Sequence, residues 1–179
     1  RKKVTFKLTF LIAGGKEVGP VLNSEFELFK GDTTTLTGTG TPNILSPWVS
    51  SHPSVASIDS EGNLIAINAG TTSITYTNDK GCSATVTIFV AYHPTFFTPN
   101  GDGINDEWTI IGLGNKEFKV SIFDRYGKLL KIITQNDSGW NGNYQGNSMP
   151  PNDYWFQLEY LKNNNTVPKI IIGHFSLIK

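Results

Sequence analysis

The chain has 179 residues, 38% of them apolar and 17% charged, and its fifteen basic side chains are balanced by fifteen acidic ones. That length accommodates one large β domain or two small ones of about 90 residues each. The neutral balance argues against nucleic-acid binding, which needs a basic face. A single cysteine, Cys82, excludes multi-cysteine zinc sites and any intrachain disulfide.

Thr, Asn and Gly are frequent while Ala, Met and Glu are scarce, which favours strands and turns over helices. No apolar run approaches the ~20 residues of a membrane span, so no direct membrane insertion is expected. Arg1-Lys2-Lys3 before an apolar stretch has the outline of a signal peptide, but Lys7 interrupts it. Val4, Phe6, Leu8 and Phe10 alternate with Thr5, Lys7 and Thr9, the pattern of a strand with one buried face over residues 1–12. The chain is therefore expected to be part of a longer protein whose targeting segments lie elsewhere.

Residues 13–20, Gly-rich and carrying Lys16 and Glu17, read as a turn. Val21-Leu22, residues 26–29 and the Thr-rich run 33–39 follow as strands, broken again at residues 38–43. Trp48 is a candidate core aromatic. Residues 55–58, 64–67 and 73–76 are short strands separated by Asp/Asn/Gly turns. Residues 82–90 place Ala84, Val86, Ile88 and Val90 on one face. Turn signals every eight to twelve residues point to an immunoglobulin-like sandwich.

Trp48-Val49-Ser50-Ser51-His52-Pro53-Ser54-Val55-Ala56-Ser57-Ile58-Asp59, then Glu61-Gly62-Asn63-Leu64 and residues 69–76, resemble the bacterial Ig-like repeats of group 2 over roughly residues 20–90. The resemblance implies a spacer or adhesin module of a cell-surface protein. In those repeats a Cys at the position of Cys82 has an upstream partner. Here that position holds Phe29, so Cys82 is expected to be a free thiol, read as a small buried hydrophobe.

Residues 91–95 form a short linker, and Phe96-Phe97-Thr98-Pro99-Asn100-Gly101-Asp102-Gly103-Ile104-Asn105-Asp106 must turn sharply, because Asn-Gly and Asp-Gly favour positive φ. Residues 107–111 read as a strand, and residues 118–124 and 129–134 as a hairpin. Residues 135–147 read as a loop pinned by Trp140 and Tyr144. A second hairpin pairs residues 154–160 with 170–177 across an Asn163-Asn164-Asn165 turn. The fold class is thus all-β: two Greek-key, immunoglobulin-like sandwiches in series. The first spans 1–91, with 1–19 as an extra strand or the tail of a preceding repeat, and the second spans 92–179.

The second half resembles the gliding-motility-associated C-terminal domain, the type B sorting signal of the type IX secretion system. The residues that carry the likeness are Phe97, Pro99, Gly101 and Gly103 in the F-T-P-N-G-D-G run and Arg125 and Gly127 in V-S-I-F-D-R-Y-G. Trp140 and Gly142 of W-N-G continue it, and Gly173, Phe175, Leu177 and Lys179 close it. Asn141 and Asn152 depart from the usual Asp and Gly. The resemblance implies sorting to the cell surface of a Gram-negative bacterium after passage through the periplasm. It implies as partners the system's translocon and an outer-membrane barrel protein. Separately, a terminal strand often lies at a sheet edge whose unpaired backbone groups can add to a partner's sheet, so an exposed surface near the C-terminal strand is the expected recognition surface.

Thr98, Asn100, Asp102, the Ile104 carbonyl and Asp106 sit at alternate positions, like half of an EF-hand loop. They could hold Ca²⁺ weakly, at a Kd on the order of 10⁻⁴–10⁻³ M. The competing reading is a turn held by Asx side chains. His52, His93 and His174 have no neighbouring second ligand, and no nucleophile motif such as G-x-S-x-G occurs, so no enzyme is expected. Trp140, Tyr144, Tyr154 and Trp155 either fill a core or stack on a sugar. The second of these makes an adhesin or carbohydrate-binding tip the competing function.

Overall fold

The computed structural model describes residues 3–7, 11–13, 16–18, 25–38, 40–114, 116–161 and 168–179, and every regular element among them is a strand. They form two compact units, one of residues 1–92 with 111–114 and one of residues 93–110 with 115–179. Val21-Leu22 and the Asn163-Asn164-Asn165 turn lie outside the described residues.

The first unit contains β1 (Lys3–Lys7), β2 (Leu11–Ala13), β3 (Lys16–Val18), β4 (Glu25–Phe29), β5 (Thr33–Thr37), β6 (Trp48–Ser50), β7 (Ala56–Ile58), β8 (Asn63–Ala66), β9 (Gly70–Thr77) and β10 (Ser83–Ala91). Two four-stranded sheets, ordered β1-β5-β8-β7 and β4-β10-β9-β6, make an immunoglobulin-like sandwich. The β1–β5 and β4–β10 pairings are parallel, and the other pairings in these sheets are antiparallel. Alternation buries Ala84, Val86, Ile88 and Val90 of β10, and the last three join Leu28, Leu36, Leu64 and Ile74 in one core cluster. Trp48 meets Tyr76 with ring centroids 4.7 Å apart.

The Trp48–Asp59 signature has a visible cause. The Ser50 hydroxyl donates to the Ala56 carbonyl at 2.7 Å, and the His52 N–H donates to Thr72 Oγ1 at 3.0 Å, with Thr72 buried. The Ser73 N–H donates to Ser51 Oγ at 2.9 Å. Small hydroxyl side chains thus satisfy backbone groups where β6 crosses to β7, and an apolar residue at Ser50 would leave such a group unpaired.

Two local expectations change. Lys16 and Glu17, read as part of a turn, lie on β3, which pairs with β2 in a hairpin of its own. Cys82 is free but only half-buried, because it closes the turn in which its N–H donates to Asn78 Oδ1 at 2.8 Å.

The second unit contains β11 (Phe96–Phe97), β12 (Phe118–Phe123), β13 (Leu129–Thr134), β14 (Asn143–Tyr144), β15 (Asn147–Ser148), β16 (Asn152–Leu161) and β17 (Pro168–Leu177). One five-stranded sheet runs β11-β17-β16-β12-β13, antiparallel except for β11 beside β17. Its other layer is irregular: the β14–β15 hairpin, and a bridge in which Trp108 and Trp140 exchange N–H···O bonds of 2.9 and 3.0 Å. Residues 107–111 are therefore no continuous strand. Trp108 pairs with Trp140 while Ile111 pairs with Tyr92, and the segment changes partner between them.

Candidate recognition site

The core of the second unit is a cluster of rings. Phe175, fully buried, stacks on Trp108 at 3.9 Å and 14°, and Phe97, Trp140, Tyr154 and Phe156 surround it at 5.8–6.5 Å. The polar tips are all satisfied by carbonyls: Trp108 Nε1 donates to Pro94 at 2.8 Å, Trp140 Nε1 to Asn143 at 2.8 Å, and the Tyr154 hydroxyl to Pro150 at 2.7 Å. Burial, with the Asp124 charge second, pushes the Tyr154 hydroxyl above its ordinary pKa.

One end of the sheet gathers the stretches singled out in the sequence. Phe97 lies beside Leu177 in the parallel β11–β17 pair, and Ser176 and Ile178 donate to the Thr95 and Phe97 carbonyls at 2.9 and 3.0 Å. Gly142, at φ 76°, fits under them: a Cβ there would come 2.9 Å from Leu177, 3.3 Å from Pro99 and 3.5 Å from Phe97. Asp153 Oδ1 accepts the Ser176 hydroxyl, and the β12–β13 turn closes as Asp124 Oδ1 accepts the Tyr126 and Lys128 N–H groups, both at 2.9 Å. A cavity of about 130 Å³ lies between Asp124, Arg125 and Tyr126 on one side and Met149, Pro150, Asn152, Asp153 and Tyr154 on the other.

The loop after Phe97 folds on its own side chains. Gly101 and Gly103 donate N–H groups to the two oxygens of Asp106, each at 2.7 Å, and hold its carboxyl below the ordinary range. Asp102 Oδ1 accepts the Ile104 N–H at 2.8 Å and its Oδ2 accepts the Asn100 side-chain amide at 2.9 Å. Thr98 Oγ1 donates to the Ile104 carbonyl at 3.4 Å. The structure thus brings the five cation-ligand candidates together with every carboxylate oxygen already accepting a bond from the loop. That is how Asx turns are built. Among the described residues no group of three or more His, Cys, Asp or Glu side chains could hold a metal ion.

Residues 91–172 match the family of the CHU_C type IX secretion signal domain, and residues 21–88 match the bacterial Ig-like domain, group 2. The chain is a bacterial Ig-like domain followed by a type IX secretion signal domain. The match gives its second unit the role of a sorting signal for type IX secretion. Among solved structures, dimeric latent PorU from Porphyromonas gingivalis is similar at 11% identity and TM-score 0.33, over 88% of this chain and 19% of that one. Domains 4–9 of the surface layer protein SbsC are similar at 13% and 0.30, over 87% of this chain and 30% of that one. The chain thus spans less than a third of either. No curated protein matches the chain.

Within the signal domain, the twelve motif residues separate by what they do. Phe97, Trp140, Phe175 and Leu177 are core, Gly142 and Pro99 meet over Leu177, and Gly173 lies against the Phe156 ring, where a Cβ would come within 2.6 Å. Gly101, Gly103 and Gly127, at φ 82°, 85° and 79°, serve turns. Arg125 and Lys179 remain, both exposed. The Arg125 guanidinium sits 5.3 Å from the ring of Tyr126, itself 83% exposed. Folding explains ten of the twelve; Arg125, beside the exposed Tyr126, and Lys179 are the two that the fold does not use.

The four aromatics that could fill a core or stack on a sugar do not share a surface: Trp140 and Tyr154 take the core reading, and Trp155 projects from the opposite sheet face. Tyr144 lies under Lys128 Nζ at 4.3 Å. Trp108 was missed as the ring under Phe175, although it stands two residues after Asp106, where a buried bridge partner would follow a turn. The C-terminal strand is not a free edge along its whole length either, since β11 covers Ser176 and Leu177. Of the histidines, His93 packs on Phe156 at 5.0 Å, and burial, then the nearby His174, lower its pKa.

Proposed function

We propose that residues 92–179 direct a large N-terminal cargo through the type IX system to the cell surface, with the Ig-like domain as a spacer and no chemistry of the chain's own. A barrel protein of the outer membrane holds the exported domain in this reading, and the exposed Arg125–Tyr126 corner of the motif is the surface that partner reads. The observation that supports it is the family match over residues 91–172. The alternative of a sugar-binding tip loses its support with Trp140 and Tyr154 in the core. Fusing residues 92–179 behind a periplasmic reporter tests the proposal, with residues 1–91 in the same position as the control. The reporter is expected at the surface with the first fusion and in the periplasm with the second. Retention of both would overturn the proposal.

A further inference from the structure

Residues 100–103 set an Asn-Gly pair directly before an Asp-Gly pair. In such pairs the side-chain carbonyl carbon of the first residue lies within reach of the backbone nitrogen of the second, and glycine has no Cβ to hinder the approach. At the first pair the Gly101 nitrogen would bond to Asn100 Cγ and expel ammonia, and water would then open the five-membered imide to Asp or to isoaspartate. At the second the Gly103 nitrogen would bond to Asp102 Cγ and expel water, and water would reopen the ring to the same two products. Both reactions begin when the glycine amide proton is lost to base. Burial shields neither pair, since Asn100, Gly101, Asp102 and Gly103 are all exposed.

Both amide protons are nevertheless committed, and to a single residue. Gly101 donates to Asp106 Oδ1 and Gly103 to Asp106 Oδ2, each at 2.7 Å. Hydrogen bonds to a carboxylate are the strong kind. Removing either proton would leave an amide anion against that carboxylate, a like-charge pair that opposes the step. The two threatened side chains are also held forward. Asn100 Oδ1 accepts the Asp102 N–H at 3.1 Å, and Asp102 Oδ1 accepts the Ile104 N–H at 2.8 Å, so each carbonyl is engaged two residues on rather than at the next amide. We propose that Asp106 guards Asn100 and Asp102 against imide formation, and that both become sites of spontaneous modification once its carboxylate is lost from the loop. An isoaspartate at either position inserts an extra main-chain carbon into the turn that follows Phe97.

Incubating the full chain at mildly alkaline pH, below its unfolding transitions, and mapping the tryptic peptide of residues 81–116 by mass spectrometry tests this. Deamidation at Asn100 reads as the mass gain of an amide turned acid, and isoaspartate at either position as the main-chain fragment it alone yields. Asp106→Asn removes the charge and one acceptor oxygen, and is expected to speed both reactions at least ~10-fold, the worth of one hydrogen bond to a charged group. Gly173→Ala, which loosens the unit without touching the loop, is expected to leave both rates at the wild-type value. A second measurement needs no variant, because base-catalysed hydrogen exchange removes the same proton. The Gly101 and Gly103 amides of the wild type are expected to exchange at least ~10-fold more slowly than in the urea-unfolded chain, exposed as they are. Exchange of either at the unfolded rate overturns the proposal. So does an Asp106→Asn chain that reacts no faster than the wild type, which would make the carboxylate a bystander or a base, or equal acceleration by Gly173→Ala, which would assign the protection to the fold at large.

Discussion

Replacing Phe175 by Ala asks whether the closing motif is architecture or message. The ring is fully buried, stacked on Trp108 at 3.9 Å and ringed by four further aromatics. Truncating a buried Phe costs about 3–5 kcal/mol, and its packing on aromatic neighbours puts this one at the upper end. A unit of roughly 80 residues has about 4–12 kcal/mol in all. The substitution therefore removes much or all of that stability, and the melting temperature of the second unit falls by about 15–30 °C. Calorimetry of the full chain should show this drop, and Phe175→Leu should recover a good part of it. Deleting residues 175–179 removes the same ring and should abolish export by unfolding the domain, whatever surface the machinery reads. A Phe175→Ala protein within ~1 kcal/mol of the parent would refute the assignment of this ring to the core.

Three further outcomes follow from the site. Gly173→Ala forces a methyl to 2.6 Å from the confined Phe156 ring and should cost about 1–3 kcal/mol in urea unfolding. Asp106 has its pKa lowered by the Gly101 and Gly103 N–H groups, so its contribution to stability is full above 3.8, the unfolded value, and is lost as pH falls through the lower folded one. The stability gap between wild type and Asp106→Asn should therefore narrow below that pH, and ~10 mM Ca²⁺ should leave the melting temperature unchanged, a rise instead assigning a cation to the loop. Arg125→Ala touches no core contact and should leave the melting temperature within ~2 °C, yet abolish surface delivery of a fused reporter. Normal delivery would remove Arg125 from the recognised surface.

Much of this was legible in the residues because the determinants are local. Alternation predicted the buried face of β10, and the hydroxyl-rich stretch from Trp48 to Asp59 announced a backbone-capping corner. Asn-Gly and Asp-Gly pairs marked the turn at residues 98–106, where Gly101, Gly103 and Asn105 all have positive φ. What escaped was non-local. Nothing near Phe96 and Phe97 says that they pair in parallel with residues some 80 positions later, and so cover the strand end expected to be free. The segment at residues 107–111 has strand composition but pairs at single residues with two different partners, and composition cannot register that. The ring cluster was visible as residue types, but which side of a strand Tyr154 and Trp155 occupy depends on register.

The most direct test of the sorting account compares one fusion in two strains. A periplasmic reporter carrying residues 92–179 is expressed in cells with an intact type IX system and in cells lacking its translocon, and its exposure to external protease is measured. The account predicts digestion in the first strain and protection in the second. Equal protection in both would contradict it.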